Sequence, residues 1–159
     1  ASVGDHDIVQ SVLGEIGLEL DFWRIAMRPG KPLIFGHIGE TPILGLPGNP
    51  VSATVCALIY LGPAIRSMLG MSDSVTPMAN AILGRDLAAN DERQDYLRSR
   101  LATDETGALV ATPSETQDSS MFATLAHAEC LVVRAPHAPP AEAGEIVTIL
   151  PLRGGIVSI

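Results

Sequence analysis

Leu46-Pro47-Gly48-Asn49-Pro50-Val51-Ser52-Ala53 opens the longest apolar run of the chain, Val51 to Leu69. Asn49 suits a helix N-cap, and Pro50 suits the first helical position, where no backbone donor is needed. Gly62-Pro63 predicts a kink or a split in this helix, and Gly70 supplies its end. Upstream, Leu33 to Ile38 and Thr41 to Leu46 read as a short strand pair around Gly39. Pro29-Gly30 forces a turn. Leu18 to Met27 reads as extended, with Leu20, Phe22 and Arg24 on one face. Asp5 to Gly17 is a helix by the spacing of Ile8, Val12 and Ile16, with Asp5 and Asp7 in its first turn and Gly17 as its stop. Helix, strands, helix in this order is half of an α/β sheet domain, assigned to residues 1–74.

Past Gly70 the composition changes. Met71 to Pro77 is polar and turn-rich, as in a linker. Short strands follow at Ala79 to Leu83, Tyr96 to Leu101, Ala108 to Thr112, Cys130 to Ala135 and Glu145 to Leu150. One helix, Ser119 to His127, interrupts them, and Pro136 to Pro140 is a surface loop. This spacing predicts a small all-β barrel or sandwich over residues 75–159.

Charge narrows the partners. Ten basic against eighteen acidic residues give a net charge of -8, which argues against a nucleic-acid backbone. A small anion needs only a few local cations and is not excluded. Cys56 and Cys130 lie in apolar runs without ligand-spaced neighbours, so neither a disulfide framework nor a metal site is expected. The apolar run, broken at Gly62-Pro63, reads as too short for a bilayer. No signal peptide is visible, so the expected compartment is the cytoplasm. The chain begins at Ala1 inside what reads as a loop, and a fragment of a longer protein is expected.

Arg24, Arg28 and Lys31 form the densest positive island, with no acid between Asp21 and Glu40. Arg28-Pro29-Gly30-Lys31-Pro32 holds two of these cations on a turn stiffened by prolines, which lowers the ordering cost of binding. The alternative is a solvated surface turn. The loop Pro47-Gly48-Asn49-Pro50 leads from a strand into a helix, where backbone N–H groups and a nearby Ser52 suit an anion. The alternative there is an ordinary capped connection. In Asp5-His6-Asp7 the three side chains diverge at a helix start, so Asp5 is assigned a capping role. Asp7 could bridge one Mg²⁺ or act as a base. On the strand from Tyr96, alternation puts Tyr96, Arg98 and Arg100 on one face, and Gln117-Asp118-Ser119-Ser120 opens the short helix. Taken alone, these read as surface features.

The motifs Arg28-Pro29-Gly30-Lys31-Pro32-Leu33 and Leu46-Pro47-Gly48-Asn49-Pro50-Val51-Ser52-Ala53 resemble those of the molybdopterin molybdenumtransferase (MoeA, gephyrin E-domain) family. Ser2 to Asp7 is similar to the end of that family's Gly-Gly-x-Ser-x-Gly-x-x-Asp loop. Arg93 to Arg98, Gln117 to Met121 and Ala143 to Glu145 are similar to its C-terminal barrel. The resemblance implies an enzyme that joins molybdate to adenylylated molybdopterin with release of AMP and help from Mg²⁺, acting as a homodimer.

Carried over residue by residue, the resemblance makes Asp7 and Lys31 catalytic, with Asp7 the metal ligand. It places Arg24, Arg28, Lys31, Pro32, Pro47, Gly48, Asn49, Pro50 and Ser52 in the cofactor and molybdate region. It also places Arg98 and Ser119 at polar barrel positions facing the same cleft. Arg24 and Arg28 depart from the family's lysines, trading a point donor for a planar fork. Asp118 stands where a glycine is common. The family's upstream loop glycines and first strands are absent, which makes residues 1–74 the C-terminal half of its α/β domain. The isolated chain is therefore expected to be inactive. A non-catalytic pterin-binding or dimerising scaffold is the alternative reading.

Overall fold

A computed structural model describes residues 12–72, 76–118 and 122–152. The chain divides into two compact units, Ala1–Ser74 and Val75–Ile159.

In the first unit, residues 12–15 are helical and the chain leaves them through Gly17 at φ +91°. The rest of the Asp5 to Gly17 helix lies outside the described residues. Three strands follow in the order β1 (Leu18–Phe22), β3 (Ile34–Ile38), β4 (Thr41–Gly45), all antiparallel. Gly36 is required where β3 crosses β1, because a Cβ there would stand 2.3 Å from the Glu19 carbonyl oxygen. The β1 register shifts between Leu20 and Phe22, and the strand ends before Trp23. Arg24 therefore does not continue the Leu20–Phe22 face, which corrects the expected extended run to Met27. A two-residue strand, β2 (Met27–Arg28), leads into the basic turn.

The long helix runs from Pro50 to Met68, 19 residues. The expected split at Gly62-Pro63 is not found, and the helix is continuous there. The helix instead widens into a π turn over Ala57–Leu61, where the Gly62 N–H donates to the Ala57 carbonyl five residues back. Pro63 has no N–H for the carbonyl four residues earlier and its ring would crowd that carbonyl, so an extra residue per turn relieves both problems. Val51, Ser52, Val55 and Cys56 form the buried face of the first two turns, at i, i+1, i+4 and i+5. Beyond Cys56 no residue of this helix is buried. By length and composition the uninterrupted helix is long enough to cross a membrane, so the expectation that Gly62-Pro63 makes it too short fails. Only its N-terminal turns are buried, and 22% of its apolar stretch lies inside the structure.

The second unit is a closed five-stranded barrel. β5 (Ala79–Leu83) pairs in parallel with β7 (Leu109–Pro113) and antiparallel with β9 (Ile146–Pro151). β9 pairs with β8 (Cys130–Arg134), β8 with β6 (Gln94–Thr103), and β6 with β7, which closes the ring. Closure leaves no strand edge unpaired. Alternation fills the interior: Val147 and Ile149 of β9 point in with Ala81, Leu83, Ala111 and Val132, while Ile146 and Thr148 face solvent. Each fully buried Ile or Leu contributes about 1.5–3 kcal/mol. The expected strands are found, β5 with its expected bounds and β7, β8 and β9 with ends shifted by one residue, and β6 is longer than expected at both ends. The short helix is described over Phe122–Ala126. Its expected start, residues 119–121, lies outside the described residues.

Both cysteines are free and buried, and burial pushes each thiol up to about 12. Only the thiolate reacts, so both should resist a thiol-specific disulfide reagent at pH 8 in the native protein and react in denaturant. Rapid labelling of either thiol before unfolding would contradict this burial.

Candidate oxyanion-binding residues

Gly30 organises the basic turn. Its φ is +122°, and a Cβ on it would meet the Cys56 Sγ at 2.6 Å and the Met27 Cε at 3.1 Å. The Cys56 thiol faces the Gly30 carbonyl at 3.9 Å, and the Tyr60 hydroxyl reaches the Met27 Sδ at 3.6 Å. The turn is thus seated on the long helix. Pro29 and Gly30 face inward, whereas Arg28 and Lys31 are exposed, with Pro32 half-buried. The Lys31 carbonyl accepts from the N–H groups of Ile25 at 3.0 Å and Leu33 at 3.1 Å. Its backbone is therefore pinned while its ammonium stands in solvent, and no ion pair engages it among the described residues. Ser52 is one turn before Cys56 on the same helix face and is 7% exposed. The seat of the turn and the hydroxyl thus share one stripe of the helix. Arg24 lies on the preceding bend, its guanidinium 3.7 Å from the centroid of the Trp23 ring.

The helix start is less open to an anion than its sequence suggests. Pro50 has no N–H, the Ser52 N–H donates to the Asn49 Oδ1 at 3.1 Å, and the Ala53 N–H donates to the Asn49 carbonyl at 2.8 Å. At most the Val51 N–H is left for a ligand. Pro47 is buried and Gly48 exposed, so the loop is anchored by one residue and bare at the next. Asn49 acts as a cap, and the cationic and hydroxyl groups of this region are the side chains of Arg28, Lys31 and Ser52.

In the barrel, Arg98 is 1% exposed, which overturns its reading as a surface residue. The segment over residues 114–117 folds back over it. The Gln117 Oε1 accepts from the Arg98 N–H at 3.0 Å and from its Nε–H at 3.1 Å. The Gln117 Nε2 donates to the carbonyls of Arg98 at 3.0 Å and Ser114 at 2.9 Å. The Arg98 Nη1 is buried with no partner among the described residues. Burial pushes the guanidinium's pKa down, and the charge of Asp118 opposes this. A buried arginine is normally paired with a carboxylate; here no ion pair to Arg98 occurs among the described residues. Arg100, on the same strand face, is exposed and borders an open concavity of about 440 Å³ with Ser114, Glu115, Thr116 and His127.

Asp7 and Ser119 lie outside the described residues. No group of three or more His, Cys, Asp or Glu suited to a metal occurs among the described residues. Arg24, Arg28, Lys31 and Ser52 are cationic or hydroxylic and offer no carboxylate to Mg²⁺. The Mg²⁺ expectation thus rests on Asp7 alone. Sequence reasoning missed Gly30 with Cys56, and Gln117 as the clamp on Arg98. The spacing of Ser52 and Cys56 was a usable signal for the first, and nothing local signals the second.

Residues 1–67 match the family described as a probable molybdopterin binding domain, and residues 80–152 match the MoeA C-terminal region (domain IV). The chain is 34% identical to a molybdopterin molybdenumtransferase of Haemophilus influenzae over 94% of its own length and 37% of that protein. It is 33% identical to the molybdenum cofactor synthesis protein cinnamon of Drosophila melanogaster, over 99% of its own length and 27% of that protein. The crystal structure of a molybdopterin biosynthesis MoeA protein from Pyrococcus horikoshii is similar with a TM-score of 0.74 at 27% identity, covering 91% of this chain and 34% of that one. The chain therefore spans well under half the length of the curated relatives it matches. With an α/β unit and a closed barrel in family order, and relatives in molybdenum cofactor biosynthesis on both, this chain belongs to the MoeA family of molybdopterin molybdenumtransferases.

Proposed function

We propose that the protein containing this chain joins molybdate to the dithiolene of adenylylated molybdopterin with release of AMP, and that this chain supplies oxyanion-holding side chains. The observation that carries the reading is the seating of the basic turn. Gly30 is packed against Cys56, so Arg28 and Lys31 are presented from a fixed backbone beside the helix face that bears Ser52. Two cations and a hydroxyl on stiff supports match a tetrahedral dianion and reduce the repulsion between it and an anionic pterin phosphate. Arg98, a buried cation with no ion pair among the described residues, is a second oxyanion contact in its own unit.

The reading includes a cytoplasmic homodimer, with Mg²⁺ held through Asp7. The dimer and the ion rest on the family resemblance. Each charge-assisted hydrogen bond contributes about 1.5–3 kcal/mol. Lys31→Ala in the full-length protein should therefore weaken molybdate binding about ten- to a hundredfold. Paired tungstate soaks of wild type and variant, located by anomalous scattering, check the position. Density remote from Lys31, or equal occupancy in the variant, would sink the assignment.

A further inference from the structure

We propose that Gln117 is a positioning residue that holds the Arg98 guanidinium through a neutral amide clamp, leaving its charge uncompensated for an incoming oxyanion. The inference rests on the oxyanion role proposed above for Arg98. Four hydrogen bonds meet at the Gln117 amide, two accepted at Oε1 and two donated from Nε2. Only a group with both an acceptor end and a donor end makes all four, which selects an amide. A carboxylate would serve the Arg98 N–H and Nε–H as well, but it would cancel the guanidinium charge and leave the Arg98 and Ser114 carbonyls facing an anion.

The clamp fixes the guanidinium at its Nε edge. Of its two outer nitrogens, Nη1 is buried and without a partner among the described residues. A charge in this state is costly, because water is excluded and nothing has replaced it. The protein therefore holds a desolvated cation whose orientation is set before a ligand arrives, and an oxyanion recovers the missing interaction without reorganising the site. The acid that acts on this charge is Asp118, which is exposed and therefore well screened. A merely structural Gln117 would tie residues 114–117 to β6 and leave ligand affinity untouched.

The two roles separate in the full-length protein by three measurements on each variant: calorimetric molybdate binding, thermal melting, and the NMR exchange protection of the Arg98 Nε–H. Gln117→Glu should melt within roughly 5 °C of wild type and keep the protected Nε–H signal, yet bind molybdate about ten- to a hundredfold more weakly. Gln117→Ala should lose the protected signal and bind about tenfold more weakly. Arg98→Met serves as the control on the underlying reading. If it binds molybdate like wild type, Arg98 holds no oxyanion, and both claims fall. If Arg98→Met binds weakly while the folded Gln117 variants bind like wild type, the positioning role alone is overturned. Should one Gln117 variant fail to fold, the other decides by the same criterion; failure of both would show a structural role and overturn the proposal.

Discussion

Replacing Gly30 by alanine is expected to destabilise the first unit by about 3 kcal/mol, from a positive-φ strain of about 1–3 kcal/mol and an overpacking cost of similar size. The new methyl would meet the Cys56 Sγ at 2.6 Å while the backbone stays at φ +122°. Relief requires lifting the turn off the helix, which moves the Arg28 and Lys31 supports together. Molybdate binding should fall by more than in Lys31→Ala, although no charge has been removed. A double-mutant cycle with Cys56→Ala identifies the cause. Taking away the sulfur should recover the overpacking part of the loss and leave the backbone strain. Chemical denaturation of the four proteins measures this, and strictly additive losses would show that the contact with Cys56 is not what constrains residue 30.

Arg98→Met should separate binding from stability in the opposite sense. Methionine fills a similar volume, and exchanging a buried ion for an apolar side chain is often neutral or stabilising. The clamp loses little by it. Gln117 keeps its bonds to the backbone N–H and carbonyl of residue 98 and to the Ser114 carbonyl. The expected outcome is a melting point equal to or above that of wild type, with molybdate affinity reduced about ten- to a hundredfold, as for loss of a charge-assisted contact. A variant that melts well below wild type would mean that the guanidinium already has a counterion, and that the cation is structural.

Local chemistry made much of this legible in the sequence. The basic turn, the Asn49 cap, the strand pair around Gly39 and the alternating barrel strands are each specified by neighbouring residues. Arg98 was not legible, because alternation places it on one face with Arg100, and the two have opposite fates. Arg98 is 1% exposed and Arg100 lies in solvent. The difference comes from Gln117, nineteen residues along the chain, and no periodicity encodes that return. The helix start misled in another way. Its residue types are those of an anion site, but the same Asn49 that marks the terminus also occupies the N–H of Ser52. Gly62-Pro63 was legible as a disturbance and not as its form, since a proline's missing donor can be met by a bend or by one extra residue in the turn.

β6 pairs on one side with β7 and on the other with β8, and it is the strand that carries Arg98. A strand at a free edge can peel away while the rest of a sheet persists; one that closes a ring has no such independent excursion. The amide hydrogens that β6 donates to β7 or β8 then exchange only when the whole barrel opens, and Arg98 keeps its place until that event. Warming would therefore not loosen this contact by degrees. It would stay intact in every folded molecule and vanish in every unfolded one, so a population of half-competent proteins never accumulates.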